Sequence, residues 1–410
     1  MGERILLDTL FFDMDSYFAS VCQAEEPALR GRPVGVVTVD APGAACIAVS
    51  VEAKARGLSM GVRVSKARHL CPGIVFREAR HDLFVAYHHR IRRAVERVLP
   101  IDAVHSIDEC SCRLTGPQRA LPQALKIGAA VKRAIHERLS PALRCSVGLG
   151  PNVLLAKIAA EIRKPDGLDW LHPEILPERI AHLQLEELPG VSLAMLDRLM
   201  AAGVYTVVQL YGLDPKAARL IWGNVEGERF LTQLRGGTVI RPKTRRSSLA
   251  HSQILTPRNR SPEGARLVAR RLLVKLGARL RRERFLAGAL HVGVKSDGIG
   301  YRHAEGRIFA TRDTFDLLRS FDRYWRRLPV ERPVAVMVTL AELIEEAQRM
   351  DDLFAPSDEA RERLCLAIDG LNARFGQDTI RFGELPPHKV AFTGAKIAFG
   401  RIPDRREFRE

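Results

Sequence analysis

The chain of 410 residues carries 64 Lys and Arg against 48 Asp and Glu, a net charge of +16, and 46% of its residues are hydrophobic. That length exceeds one ordinary core and points to two to four domains; no apolar run nears the roughly 20 residues that span a bilayer, and Asp8 interrupts "ILLDTLFF", so neither a membrane anchor nor a signal peptide is expected. Seven cysteines (Cys22, Cys46, Cys71, Cys110, Cys112, Cys145, Cys365) form no C-x-x-C pair, which argues against a zinc site or a disulfide framework and for a reducing cytoplasm.

In chain order, "RILLDTLFFD" predicts a buried strand, and "SYFASVCQAEE" after it a helix started by Ser16. The strand delivers Asp13 and Asp15 to a sheet edge. "RPVGVVTV" reads as a second strand, and "SVEAKARGLSMGVRVSKARHLCPG" as helix, glycine-marked turn and helix, a compact unit inserted into the first sheet. "FVAYHHRIRRAVERVL" is an amphipathic helix. "DAVHSIDECSCRL" alternates like a strand, with Asp108 and Glu109 at its middle. A helix from Gln123 to Leu139, the strand "RCSVGLG" and a helix from Asn152 to Arg163, ended by Lys164-Pro165-Asp166-Gly167, complete an α/β unit.

From about Leu168 to Thr238 the periodicity is helical throughout, with little strand signal. There Gly190 and Gly203 bracket a short helix in "LEELPGVSLAMLDRLMAAGVYTVVQL", an arrangement like a helix-hairpin-helix, whose backbone N–H groups at a helix start hold a DNA phosphate. "RPKTRRSS" is a basic linker. The order then becomes strand (Ser247 to Leu255), helix (Pro262 to Arg284), strand (Ala287 to Lys295), strand (Arg302 to Ala310), helix (Asp313 to Arg327) and strand (Val334 to Leu340), a β-α-β-β-α-β unit. Between Arg241 and Glu345 stand 23 Lys and Arg against 10 Asp and Glu, so this quarter of the chain holds +13 of the +16. Such a concentrated excess marks a polyanion-binding surface, with nucleic acid as the first partner to consider. In the first helix of the unit, Leu272, Leu273, Leu276 and Leu280 form the core side, while Arg271, Lys275, Arg279 and Arg282 line an adjacent side where a duplex backbone could lie. A last helix is expected in "DEARERLCLAIDGLNARFG"; "FTGAKIAFGRIPD" has no assignment.

Asp13 ends one strand and Asp108 with Glu109 lies on another. If those strands are neighbours, three acids converge with no basic residue adjacent in sequence, a cost that hard divalent cations relieve. Two Mg²⁺ ions about 4 Å apart could clamp an in-line phosphoryl transfer.

The motifs "DMDSYFASV", "SVEAKARGLSMG", "SIDE", "CSVGLGPNVLLAKIAAEIRKPDG" and "LPGV", in this order and spacing, make the chain resemble the Y-family (DinB/UmuC-like) translesion DNA polymerases over nearly its whole length. The resemblance implies an α+β multidomain fold of right-hand architecture, with a palm (1–21 and 80–167), fingers (22–79), a helical thumb with the helix-hairpin-helix (168–240), a βαββαβ little finger (241–345) and a C-terminal extension (346–410). It implies a cytoplasmic, nucleoid-associated, low-fidelity DNA polymerase without proofreading, using primer-template DNA, a deoxynucleoside triphosphate and two Mg²⁺, with Mn²⁺ as the alternative ion. Asp13, Asp108 and Glu109 become catalytic metal ligands, joined by the Met14 carbonyl. Asp15 stays structural, as a cap. Phe18 becomes the steric gate against a ribose 2′-hydroxyl, and Lys164 meets the triphosphate.

The fingers depart from the family pattern, which commonly has S-Y-E-A-R. Here Val51 and Lys54 replace the Tyr and Arg that contact the nucleotide, and Ala48 stands where a hydroxyl residue is common. Val51 donates no side-chain hydrogen bond and Lys54 lacks the guanidinium fork; Arg56 or Lys66 are candidates for compensation. The departure motivates one rival reading, a weak or inactive DNA-binding scaffold, and a two-metal nuclease is another. "QRMDDLF" offers Leu353 and Phe354 as an anchor for a bacterial sliding clamp.

Overall fold

The structure is a computed structural model that describes residues 5–241, 245–348, 359–376, 378–384 and 402. The described residues fall into two compact units that divide in sequence just after Arg241. The first contains β1 (Thr9–Met14), α1 (Tyr17–Glu25), β2 (Val34–Val37), β3 (Cys46–Val49), α2 (Val51–Lys54), α3 (Val64–Leu70), β4 (Val75–Glu78), α4 (His81–Val95), β5 (Ile101–Val104) and β6 (Glu109–Arg113). It continues with α5 (Leu121–Arg138), β7 (Cys145–Gly150), α6 (Val153–Ile162), β8 (Leu168–Trp170), α7 (Leu193–Ala201), α8 (Val207–Gly212), α9 (Pro215–Trp222) and α10 (Glu226–Leu234). The second contains β9 (Ser248–Ile254), α11 (Pro262–Glu283), β10 (Phe285–Ser296), β11 (Gly300–Thr311), α12 (Thr314–Trp325), β12 (Pro333–Glu345) and α13 (Glu359–Phe375).

The central sheet of the first unit runs β5-β6-β1-β7-β8, antiparallel except for the β7/β8 pair. Because side chains alternate along a strand, β1 sends Leu10, Phe12 and Met14 into the core shared with α4 and α5, and Phe11 to the opposite face, against Ala156 and Ala160 of α6. The three-stranded sheet β3-β2-β4 is separate from the central one; α2 and α3 close a small core of Val37, Val49, Leu58 and Val64 on it, while Val34 and Val36 of β2 join the main core. Helices α7 to α10 pack on Leu155 and Ile158, the far side of α6.

In the second unit all four strands are antiparallel, in the order β11-β10-β12-β9. Helices α11 and α12 cover one face, with Leu272, Leu273, Leu276 and Leu280 in the core as their helical spacing predicts. The βαββαβ order matches the sequence pattern, element by element.

Four readings need correction. The stretch from Asp102 to Leu114 is a hairpin, not one strand. The Ser106 hydroxyl accepts from the backbone N–H of Asp108 and of Glu109, which turns the chain between β5 and β6. Strands β3, β4 and β8 are three or four residues long and escaped notice. Ser16 occupies the start of α1 without capping it: its φ is 51° and its hydroxyl makes no cap bond. The compact unit read as an insertion into the first sheet is α2 and α3, and these helices pack on the separate sheet β3-β2-β4. The expected C-terminal helix is present as α13, whereas Leu353 and Phe354 lie outside the described residues.

The packing of β7 on α6 leaves no room for a side chain at Gly148. A Cβ there would sit 2.0 Å from the Ala156 carbonyl oxygen and 2.3 Å from the Ala160 nitrogen, both backbone atoms. Gly148→Ala is therefore expected to destabilise the first unit by about 3 kcal/mol, measured by urea unfolding followed by circular dichroism. An unchanged midpoint would mean that the strand and helix tolerate a methyl group between them.

Candidate active site

The register of the β1/β6 ladder places Asp13 directly opposite Glu109, and the Met14 N–H donates to the Asp108 carbonyl at 3.0 Å. Asp13 and Glu109 therefore share the α6 face of the sheet, and Asp108 joins them from the hairpin turn. The two strands that the sequence reading needed as neighbours are paired. Asp13 is buried, while Asp108 and Glu109 are half-buried.

Two lysines attend these acids. Lys164 Nζ lies 2.9 Å from Asp13 Oδ1 and 2.6 Å from Glu161 Oε1. Lys157 Nζ, from within α6, lies 2.5 Å from Glu109 Oε1 and over the Phe11 ring. Lys157 was missed in the sequence. No local pattern marks it, since Lys164 lies beyond the end of α6.

The electrostatics follow from burial and company. Burial raises the Asp13 carboxyl, against the pull of Lys164, and the nearby Asp108 raises it further. Burial likewise raises Asp108; the Ser106 hydroxyl that hydrogen-bonds it pulls the other way, and Glu109 adds to the rise. Burial also works against an ionised Glu109, but the Lys157 ammonium overcomes it and holds that carboxyl below its usual range. Lys164 stays protonated well above the ordinary lysine range because Asp13 and Glu161 outweigh its burial. The three carboxylates share one corner without closing into a cage, since ammonium groups sit on two of them. An all-oxygen donor set with charge to be neutralised fits a hard divalent cation.

Asp15 faces away from this corner. It accepts from the Ser146 hydroxyl at 2.9 Å and from the Asp166 N–H at 2.7 Å, while its own carbonyl accepts from Ser20. It is structural, as expected, but as a tie rather than a helix cap: it fastens the Lys164–Gly167 turn to the end of β1. Phe18, on the first turn of α1, is half-buried and stacks on Phe84 at 4.3 Å.

In the small sheet unit, Ser50 caps α2, its hydroxyl accepting from the Ala53 N–H, so Val51 begins that one-turn helix and Lys54 ends it, exposed. Glu52 accepts from Gln23 of α1 at 3.0 Å, which anchors α2 to the helix that carries Phe18. Gly190 has a φ of 95°, the left-handed region, just before Ser192 caps α7 by accepting from Met195.

The basic side of α11 is engaged within the chain. Arg271 pairs with Asp378 at 2.7 Å and Arg279 with Glu283 at 2.8 Å, and Lys275 and Arg282 also have interactions within the chain. Beside them the buried Arg281 makes a two-pronged bond to Asp369 of α13. Acids of the same chain thus meet Arg271, Arg279 and Arg281 along α11.

Substituting two aspartates is expected to move stability in opposite directions. In the absence of divalent ions Asp108→Asn should stabilise the protein at neutral pH. The raised carboxyl of Asp108 contributes stability below the unfolded carboxylate range and loses it as pH rises, so the gain from Asn should vanish in acid. Asp15→Ala should instead cost about 1–3 kcal/mol by leaving the Ser146 and Asp166 donors unpaired. Urea unfolding at neutral and acid pH measures both; a destabilising Asp108→Asn would contradict the electrostatic reading.

Comparison with known proteins agrees with this geometry. Residues 12–161 match the impB/mucB/samB family and residues 246–353 that family's C-terminal domain. The chain is 33% identical to a DNA polymerase IV of Moorella thermoacetica over 402 residues, which is 95% of this chain and 98% of that protein. It is 31% identical to a DNA polymerase IV of Pelotomaculum thermopropionicum over 384 residues, 90% of this chain and 93% of that one. A solved Y-family DNA polymerase chimera superposes with a TM-score of 0.68 at 20% identity, covering 83% of this chain and all of the other. An insertion ternary complex of the Dbh DNA polymerase superposes with a TM-score of 0.54, at the same identity and coverage. With the acid pair on the central strands, the attendant lysines and the βαββαβ unit all in place, the chain belongs to the impB/mucB/samB family and has the fold of the Y-family DNA polymerases.

Proposed function

We propose that this protein is a template-directed DNA polymerase of the damage-bypass type. Residues 1–21 and 80–167 form its palm, 22–79 its fingers, 168–240 its thumb, 241–345 its little finger and 346–410 an extension. The observation that carries the reading is the β1/β6 register, which sets Asp13 against Glu109 with Asp108 beside them and Lys164 at 2.9 Å. Primer-template DNA and a deoxynucleoside triphosphate are the substrates. Asp13, Asp108, Glu109 and the Met14 carbonyl would hold two Mg²⁺ ions, which supply Lewis-acid activation of the primer 3′-hydroxyl and charge neutralisation at the phosphates.

The side chains divide the remaining work. Lys164, a flexible point charge now resting on Asp13 and Glu161, can turn to the triphosphate and offset its charge. Asp15 limits how far that turn can drift, through its bond to Asp166. Phe18, braced by Phe84, presents a rigid ring where a ribose 2′-hydroxyl would have to fit. Val51, which has no side-chain donor, and Lys54, which lacks the guanidinium fork, occupy the nucleotide-contacting positions of the fingers. The backbone of the α7 start beyond Gly190 is suited to a DNA phosphate. In the second unit the face of the sheet opposite α11 and α12 is the broad surface left for the duplex, with Lys295 and Arg307 exposed on it. Clamp anchoring by Leu353 and Phe354 and association with the nucleoid belong to the same proposal. No helix among the described residues is long and apolar enough to cross a membrane.

The rival scaffold reading rests on Val51 and Lys54, and one experiment separates the two. The full-length protein is expected to extend a primer on an undamaged template with Mg²⁺, and Asp108→Ala to reduce extension to background while primer-template affinity stays within about twofold. No extension by the wild type, with DNA bound normally, would favour the scaffold.

Phe18→Ala is expected to raise ribonucleotide incorporation relative to deoxynucleotide incorporation, with the Mg²⁺ requirement unchanged. Single-nucleotide insertion kinetics measures the ratio, and an unaltered ratio would place the gate on another residue.

A further inference from the structure

The open face of the β9–β12 sheet carries donors of a different chemistry from the carboxylate corner. His291 stands on β10, and His303 and Glu305 on the edge strand β11. Glu305 is in register opposite His291, and His303 opposite Gly293. One donor atom from each of the three lies within 4.8 Å of the others, and among the described residues no other group of three His, Cys, Asp or Glu side chains meets that condition.

The surroundings form a shallow, walled seat. The His291 and His303 rings stack at 5.0 Å, and the Tyr301 ring stacks with them at 6.2 Å and 5.9 Å. Tyr301 lies flat across the sheet because residue 293 is glycine: a Cβ there would meet the tyrosine hydroxyl at 2.0 Å. That hydroxyl reaches Met337 Sδ at 3.8 Å. His291 Nε2 is 3.9 Å from Glu305 Oε2, too far for a hydrogen bond, and its Nδ1 is buried without a partner. The donors are therefore gathered but not spent on one another.

We propose that His291, His303 and Glu305 form a binding site for a borderline divalent transition metal of the Zn²⁺ type, with three protein ligands and one position open to solvent. Two imidazoles and a carboxylate are a donor set that Zn²⁺ accepts with an open fourth position, whereas Mg²⁺ prefers oxygen alone, so this seat and the carboxylate corner select different ions. Tetrahedral donors with bonds of about 2.0–2.1 Å lie roughly 3.4 Å apart. Closing the present spacing requires rotation of side chains and no movement of strands, since Glu305 is exposed and held by the 3.9 Å approach alone. The assignment does not depend on the polymerase reading.

The test uses tag-free full-length protein in excess Mg²⁺, titrated with Co²⁺ as a visible probe. Four- or five-coordinate Co²⁺ with imidazole ligands absorbs strongly in the visible, and six-coordinate Co²⁺ with oxygen ligands absorbs weakly. The expected result is a strong band that saturates at one Co²⁺ per chain, is displaced by Zn²⁺ and persists in Asp108→Ala. His303→Ala and Glu305→Ala, both at exposed positions, should each abolish the band and weaken Zn²⁺ binding at least ~tenfold, with unchanged circular dichroism. Absence of the band in the wild type, or its survival in both variants, overturns the assignment.

Discussion

Everything at the candidate active site depends on one constraint: the backbone ladder between β1 and β6 holds two carboxylates, Asp13 and Glu109, opposite each other across neighbouring strands. Like charges directly opposite are unfavourable in a sheet, and no local preference would choose this pairing. The ladder imposes it, because slipping the register by one residue would move Phe11 and Phe12 to the wrong faces of the sheet. Hydrophobic burial thus fixes the register, and the register creates the electrostatic problem that the rest of the site is built to manage.

The management comes from α6 and the turn beyond it. Gly148 lets the helix lie against β7 with backbone atoms at the distance a methyl group would need, and that close seat brings Lys157 to Glu109 and Lys164 to Asp13. Asp15, next but one to Asp13, then ties the turn after Lys164 back to the strand through Asp166. The stretch from Asp13 to Asp15 therefore does two jobs on alternate residues: one carboxylate lines the acid corner, and the other fixes the turn that follows Lys164.

The second unit shows charge used differently. Its excess of basic residues suggested a surface for a polyanion, yet much of the guanidinium population on the helical side is engaged by acids of the same chain. Arg312 meets Glu346 and Glu362, Arg361 meets Asp313 and Asp316, and Arg281 meets Asp369. These pairs fasten α13 onto α11 and α12, so the helical side is closed and the sheet's other face is the one left open. Net charge pointed to a partner class; the pairing shows which arginines of the unit are already engaged within the chain.

What the sequence by itself determined was whatever short-range pattern controls. The apolar strand ending at Asp13, the long helices and the βαββαβ order were legible because alternation and helical periodicity act over a few residues. The family motifs pointed to Asp13, Asp108, Glu109 and Lys164, which the fold brings together, for the same reason. What only the tertiary structure decided was every feature set by a partner distant in sequence. The hairpin at Ser106 turns on a hydroxyl where glycine or proline would have announced it, and strands as short as β3, β4 and β8 exist only because a neighbouring strand completes their hydrogen bonds. Lys157 reads as one more helix lysine until α6 lands on the sheet, and Asp15 reads as a cap until Asp166 arrives from 151 residues away. The arginines of α11 look free until Asp378 and α13 fold back on them. Electrostatic pairing and ladder formation depend on proximity in space, and a linear pattern records only proximity along the chain.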